Sequence, residues 1–188
     1  MTIDSSRVII LYKSDYYMEY KMDKKNVLKI LAARSLLKSL EPASLEKFVD
    51  AGEIISFGEG ELIIGEDEES PHVFFIVSGT VNIEVVGDNK NIYICSMGTG
   101  EFIGEAGIFH TLKRNANVRA ASDSVMLRLG RDKFHAFLKE KPAAGIKVLL
   151  IIIYSLLKKL STVNHELAFE RQFDIQQDDV DEIIKNFL

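Results

Sequence analysis

The sequence predicts an α+β fold that is mainly β, a sandwich or jelly-roll barrel with helices before and after it. Seven short runs between Glu53 and Leu129 alternate apolar and polar residues, as half-buried strands do. Glycines separate these runs, and Gly87-Asp88-Asn89 is a hairpin signal. Before this strand-like region, apolar residues show helical spacing from Asp23 onwards, and helical spacing returns at Arg131. Many short strands flanked by helices favour a barrel whose mouth can hold a ligand.

Composition sets the class of protein. A chain of 188 residues with 47% hydrophobic and 27% charged residues suits one soluble domain with appendages. A net charge of −5 argues against a nucleic-acid surface, which is usually basic. The single cysteine, Cys95, allows no internal disulfide and fits a reducing compartment. The longest apolar run, 148–157, is half of the roughly 20 residues that a membrane span needs. We therefore expect a cytoplasmic protein that does not enter a membrane.

The boundaries before the barrel follow from helix-breaking residues. Residues 1–22 show no readable period and are assigned to an irregular arm. Residues 23–52 form a helical segment, which Glu41-Pro42 interrupts and Gly52 ends. The predicted barrel spans residues 53–130.

Two helical segments are predicted after the barrel. In residues 131–170, a helix over Arg131–Lys141 ends at Pro142, and a long helix covers about 143–169. Its first half is apolar nearly all round, so it is buried on more than one side. We favour a homodimer in which one side covers the barrel and the other meets a second copy; a core helix in a monomer is the alternative. Residues 171–188 form a short helix capped near Asp178, which docks on the barrel, on the dimer mate or on a partner.

Residues 102–116 carry the chemistry. Gly104-Glu105 opens a helical turn through Ala106, and Arg114 follows nine residues after Glu105. A glycine admits a ligand close to the backbone, and helix-start N–H groups attract anions. An arginine can donate two hydrogen bonds to a phosphate, and a carboxylate can accept one from a ribose hydroxyl. This combination suits a sugar phosphate.

The same residues resemble the phosphate-binding cassette of cyclic-nucleotide-binding domains, the family of bacterial cAMP receptor proteins and protein kinase A regulatory subunits. The resemblance runs from about Leu36 to Pro142 and includes FIVSG at 75–79 and GEFIGE at 100–105. It implies a double-stranded β-helix jelly-roll barrel with an N-terminal helical pair and a long C-terminal helix. Asn115 departs from the Ser, Thr or Ala usual after the arginine. Asp67 replaces a turn glycine, and Asp tolerates a left-handed backbone.

The resemblance implies a role for each site residue. Arg114 neutralises the cyclic phosphate, Glu105 accepts from the ribose 2′-hydroxyl, and Gly104 lets the sugar approach. The backbone N–H groups of Ala106, Asn115 and Ala116 complete the phosphate cage. Ile83, Ile94 and Cys95 are assigned to the base pocket. Thr162 and Asn164, on the long helix, are assigned to a lid over the base.

The ligand is then cAMP or cGMP, and we take cAMP because it is the commoner bacterial ligand. Asn115 either imitates a hydroxyl contact that often selects guanine or makes none. The protein is expected to be a sensor, not an enzyme, with no cofactor. It would switch its helix packing and signal to an unidentified downstream protein. It should not read DNA by itself, because the residues after Phe169 leave room for one short acidic helix.

Two alternatives remain. The first is the same barrel without a ligand, kept for dimerisation and partner docking. The second is a cupin-like enzyme, which would cluster metal ligands inside the barrel. Four dispersed histidines argue against a metal site: His72, His110, His135 and His165.

Overall fold

The computed structural model describes residues 22–87, 90–109 and 113–187; the side chains of Arg34 and of residues after Asn164 are outside this description. The arm predicted for residues 1–22 therefore lies outside the described residues except at Met22, and so does His110. The chain divides into two compact units, residues 1–151 and 152–188, and each is considered separately.

Two short helices and a 3-10 turn precede the strands. Helix α1 is Lys24–Arg34, the turn is Leu36–Ser39 and α2 is Pro42–Asp50. The Asp23 side chain caps α1 by accepting from the backbone N–H of Asn26 at 2.8 Å. Pro42 stands in the first turn of α2, where its missing N–H costs nothing. The predicted interruption at Glu41-Pro42 is thus a boundary between helices.

The strands form two four-stranded antiparallel sheets. One has the order β1-β8-β3-β6 and the other β2-β7-β4-β5. This arrangement confirms the predicted jelly-roll barrel. The eight strands are β1 (Glu53–Phe57), β2 (Leu62–Ile64), β3 (His72–Ser78), β4 (Thr80–Val86), β5 (Asn91–Gly98), β6 (Phe102–Ile103), β7 (Asn117–Ala120) and β8 (Ser124–Gly130).

The core lies between the two sheets. Strand β3 is buried over five consecutive residues, 73–77, because its second face meets α1 and a short helix, α3 (Ala106–Phe109). Burial on both faces explains why β3 is a continuous apolar run without alternation. Both sheets contribute to the main core cluster, which contains Ile64, Phe74, Ile76, Val81, Met97, Ile103, Val118 and Met126.

Helix α4 (Arg131–Glu140) follows β8 directly and packs on α2. Phe137 meets Phe48 edge to face with ring centroids 5.3 Å apart. Lys47 and Glu140 form an ion pair at 3.1 Å between exposed side chains, which stabilises little in water. The aromatic contact thus links the helices before and after the barrel.

Helix α5 is Pro142–Phe187, so it continues beyond its predicted end at about Phe169. We predicted a long helix to about Phe169 and a separate short helix within 171–188. The backbone is continuously helical instead. No glycine or proline occurs after Gly145, so the sequence contains no residue that stops the helix. Of the helices in the described residues, none has the length and apolar content needed to cross a membrane.

Candidate functional site

The predicted cassette is a loop between β6 and β7. Ile103 at the end of β6 and Ile108 in α3 are buried, so both sides of the Gly104-Glu105 turn are anchored in the core. Gly104 has φ +70°, a left-handed conformation that a glycine adopts without strain. Phe109, at the end of α3, is 56% exposed. The turn is therefore fixed by its apolar neighbours while its outer end faces solvent.

Arg114 is buried in this loop, with 6% of its surface exposed. Its guanidinium donates to three backbone carbonyls, those of Gly104 (Nη1 to O, 2.5 Å), Ser70 (Nη2 to O, 3.0 Å) and His72 (Nη2 to O, 2.5 Å). Its backbone is held as well, because its N–H donates to the carbonyl of Glu68 at 3.0 Å. Among the residues described, the buried Nε has no hydrogen-bond partner. The Nε–H donor of the guanidinium thus remains to be satisfied.

Two glycines leave room for this guanidinium. A Cβ atom on Gly104 would lie 2.8 Å from Nη1 of Arg114. A Cβ atom on Gly107 would lie 2.8 Å from Nη2 and 2.5 Å from the carbonyl oxygen of Ser70. The missing side chain of Gly104 thus leaves room for Arg114, and its contact with a sugar stays a prediction.

The site places the buried guanidinium of Arg114 near the buried carboxylate of Glu105. Burial lowers the pKa of Arg114 below its ordinary value, while Glu105 and Glu68 act in the opposite direction. Glu105 is 8% exposed and lies within electrostatic reach of the guanidinium. The structure therefore brings together Gly104, Glu105 and Arg114, as the sequence predicted.

The remaining predicted residues lie on several different elements. Ala106 is the exposed first residue of α3; Asn115 is exposed and Ala116 half-buried on the way to β7. Ile83 and Cys95 face each other across β4 and β5 and pack against the core cluster. Ile94 precedes Cys95 at a break in the register of that pair and is half-buried. Thr162 and Asn164, the predicted lid residues, are exposed on the second unit.

The acidic loop after β2 supports the cassette from outside. Asp67 has φ 64°, so it adopts the left-handed conformation expected where a glycine was replaced. The backbone N–H of Glu66 donates to Oδ1 of Asn117 at 2.8 Å, and its Oε2 accepts from the N–H of Val86 at 2.7 Å. These contacts tie the loop to β7 and to the end of β4.

Sequence reasoning missed the carbonyl groups of Ser70 and His72, which bind Arg114. Any residue supplies a backbone carbonyl, so no sequence signal marks these two. In the described part of the chain, no group of three or more His, Cys, Asp or Glu residues could hold a metal ion.

Residues 54–141 match the family model described as "Cyclic nucleotide-binding domain". This part of the chain belongs to the cyclic nucleotide-binding domain family. The matched range covers β1 to α4 and contains the whole cassette.

Two relatives of this cyclic nucleotide-binding domain have names that describe regulatory proteins. A "CRP-like cAMP-activated global transcriptional regulator" of Mycobacterium tuberculosis is 22% identical over 140 residues, which are 74% of this chain and 61% of the relative. A "cAMP-dependent protein kinase regulatory subunit" of Emericella nidulans is 32% identical over 103 residues, 55% of this chain and 24% of the relative. The chain thus spans about three fifths of the first and a quarter of the second.

A solved structure shows the same fold. The crystal structure of a cyclic nucleotide-binding domain from Methylobacillus flagellatus has a TM-score of 0.68 with this chain at 18% identity. The alignment covers 78% of this chain and 83% of that one. The barrel and its flanking helices are therefore the architecture of this family.

Proposed function

We propose that this protein is a cyclic-nucleotide sensor that binds cAMP, with cGMP as the alternative ligand, and signals to another protein through a change in helix packing. One observation carries the proposal. Within a domain of the matched family, a buried arginine and a buried carboxylate meet at the left-handed Gly104 turn. A cation and an acceptor held together in this way suit the phosphate and the ribose hydroxyl of one ligand.

Arg114 is assigned to the phosphate because of its burial. A buried guanidinium loses hydration, which neutral carbonyl groups replace only in part. A phosphate oxygen forms a stronger, charge-assisted hydrogen bond with it. The unpartnered Nε gives such an anion a donor that no described residue uses. Phosphate binding would therefore compete with the three carbonyls and relieve part of the cost of burial.

The other contacts are assigned by position. Glu105 accepts from the ribose 2′-hydroxyl, and the N–H groups of Ala106, Asn115 and Ala116 add donors to the phosphate. Ile83, Ile94 and Cys95 form the apolar surface for the base. The lid assignment of Thr162 and Asn164 rests on the sequence resemblance alone. A nucleotide that binds one arrangement of cassette and helices better than another shifts the population by that difference in affinity.

A homodimer through α5 is part of the proposal. Within the second unit, Ile153, Leu157 and Leu160 are exposed and follow one another at spacings of four and three residues. This is the spacing by which two helices pack in a coiled coil. A second copy of α5 is the partner that presents the matching surface.

Calorimetric titration with cAMP, cGMP and 2′-deoxy-cAMP tests the proposal. We expect cAMP to bind and the deoxy analogue to bind poorly, because Glu105 loses its hydroxyl partner. In thermal unfolding, a ligand at about 100 times its dissociation constant should add roughly 2.7 kcal/mol of stability. The sensor is refuted if cAMP and cGMP both give no heat of binding in the titration and no shift in the unfolding temperature.

The competing function is a protein-interaction module built on an empty barrel. The three carbonyl contacts of Arg114 favour it, because they satisfy most of the guanidinium without a nucleotide. In that case both nucleotides leave the unfolding temperature unchanged while self-association persists.

A further inference from the structure

Arg131, the first residue of α4, binds the cassette at the carbonyl group of Gly107. Its Nε and Nη2 both donate to the carbonyl oxygen of Gly107, at 3.0 and 2.7 Å. Two donors of one planar guanidinium on one acceptor fix the position of that oxygen. The short helix α3 is thereby attached to the start of α4.

The other side of Gly107 faces Arg114, the arginine assigned to the phosphate. The position that a Cβ atom of Gly107 would occupy lies 2.8 Å from Nη2 and 2.9 Å from Nη1 of Arg114. Gly107 thus has one arginine at its carbonyl group and a second against its Cα. A displacement of either guanidinium must move this glycine or lose the contact.

A second connection joins the same two arginines through three consecutive residues. The carbonyl groups of Ser70 and His72 accept from the Arg114 side chain. The carbonyl group of Pro71, between them, accepts from the backbone N–H of Arg131 at 2.8 Å. Any rearrangement of Arg114 that releases its two carbonyls also changes the segment to which the first residue of α4 is bonded.

We propose that Arg131 is a positioning residue for the phosphate site and the link through which occupancy of the site reaches α4. This inference rests on the proposed function. Arg131 sets the place of Gly107, Gly107 limits the place of Arg114, and Arg114 meets the phosphate. By reciprocity, a ligand that moves Arg114 changes the contacts of Arg131 with the cassette.

The first test is cAMP titration of the parent, Arg131→Gln, Arg131→Lys and Arg119→Gln. Arg119 is a matched control, since Nη1 of its guanidinium also donates to a glycine carbonyl, that of Gly60 at 2.7 Å, away from the cassette. We expect Arg131→Gln to raise the Kd about 10-fold, in the range for a charged hydrogen bond. Arg131→Lys should recover part of the loss, because an ammonium can still donate to one carbonyl. Arg119→Gln should stay within about twofold of the parent.

The second test separates positioning from simple stabilisation. Hydrogen–deuterium exchange is measured over α4 with and without saturating cAMP, on variants that circular dichroism shows to be folded. In the parent and Arg119→Gln, cAMP should change the exchange of the first turn of α4; in Arg131→Gln this response should be small or lost. A residue that only stabilises α4 would alter its exchange equally with and without the nucleotide.

The outcomes distinguish the two proposals. If the parent binds cAMP and Arg131→Gln has the same Kd and the same α4 response, the positioning role is wrong and the sensor stands. If the parent binds neither cAMP nor cGMP, the sensor is refuted, and the positioning role with it.

Discussion

At the scale of single residues, Arg114 differs from an ordinary surface arginine in both burial and partners. It is almost fully buried, yet the structure gives it three backbone carbonyl acceptors and a nearby carboxylate. A charge without partners costs far more free energy when it is buried than when it is exposed to water. The surrounding backbone therefore accounts for a stable arginine inside the barrel rim.

Replacing this arginine should weaken nucleotide binding strongly. We expect Arg114→Ala to cost roughly 2–3 kcal/mol of binding free energy, about 30- to 150-fold in Kd, because a charged hydrogen-bonded contact is lost. Calorimetric titration with cAMP measures the effect, and Arg119→Ala controls for the loss of one positive charge. Near-identical titration curves for Arg114→Ala and the parent would remove Arg114 from the site.

The sequence predicted the charged members of this site but not what surrounds them. Gly104, Glu105 and Arg114 were found because their spacing matches a family cassette. The acceptors at Ser70 and His72 lie 44 and 42 residues before Arg114, and they are main-chain atoms. Arg131 was predicted only as the start of a helix. Its contact with Gly107 depends on how that helix docks, which a local pattern does not encode.

At the scale of elements, helix α5 presents exposed apolar residues along the second unit. Leu157 is 60% exposed and lies between Ile153 and Leu160, which are also exposed. Covering such residues is favourable at about 25 cal/mol for each Å² removed from water. In the proposed dimer, a second copy of the helix would cover these residues.

A charge at this position should disrupt the proposed dimer. We expect the parent to sediment as a dimer at micromolar concentration and Leu157→Glu to shift towards monomer, because like charges would be buried between the helices. Ser161→Glu, at an exposed polar position of the same helix, should leave the dimer intact. A parent that sediments as a monomer, or a dimer unaffected by Leu157→Glu, contradicts this assignment.

Elements were predicted best where their pattern was long. Strand β4 showed clear alternation, β3 was a continuous apolar run, and helix α4 carried an apolar stripe. Strand β6 was missed because Phe102–Ile103 is too short to show a period of two. The end of α5 was misplaced near Phe169, although no glycine or proline there breaks a helix.

At the scale of the whole molecule, His72 connects the start of β3 to the cassette. His72 begins β3, its carbonyl group binds Arg114, and its Nδ1 lies 3.1 Å from the Ser70 hydroxyl. Burial and the charges of Arg128 and Arg114 lower the pKa of His72 below its ordinary 6.5, while Glu53 raises it. The folded protein therefore holds this histidine neutral at pH values where the unfolded chain protonates it.

This shift makes the stability of the fold depend on pH in a defined direction. Since the unfolded state binds the proton more tightly, the contribution of His72 is complete above about pH 6.5 and declines as the pH falls below it. Urea unfolding at about pH 7.5 and 5.5 should show a larger loss of stability in the parent than in His72→Gln. An equal loss in both proteins would show that other groups cause the acid sensitivity.

The exposed Phe109 at the end of α3 offers a spectroscopic handle on the cassette. The chain contains no tryptophan, so Phe109→Trp would install a single indole fluorophore beside the Gly104 turn. Since the ring already faces solvent, the exchange adds no bulk to the core. Its emission maximum would then report rearrangement of this turn in real time, without labelling chemistry.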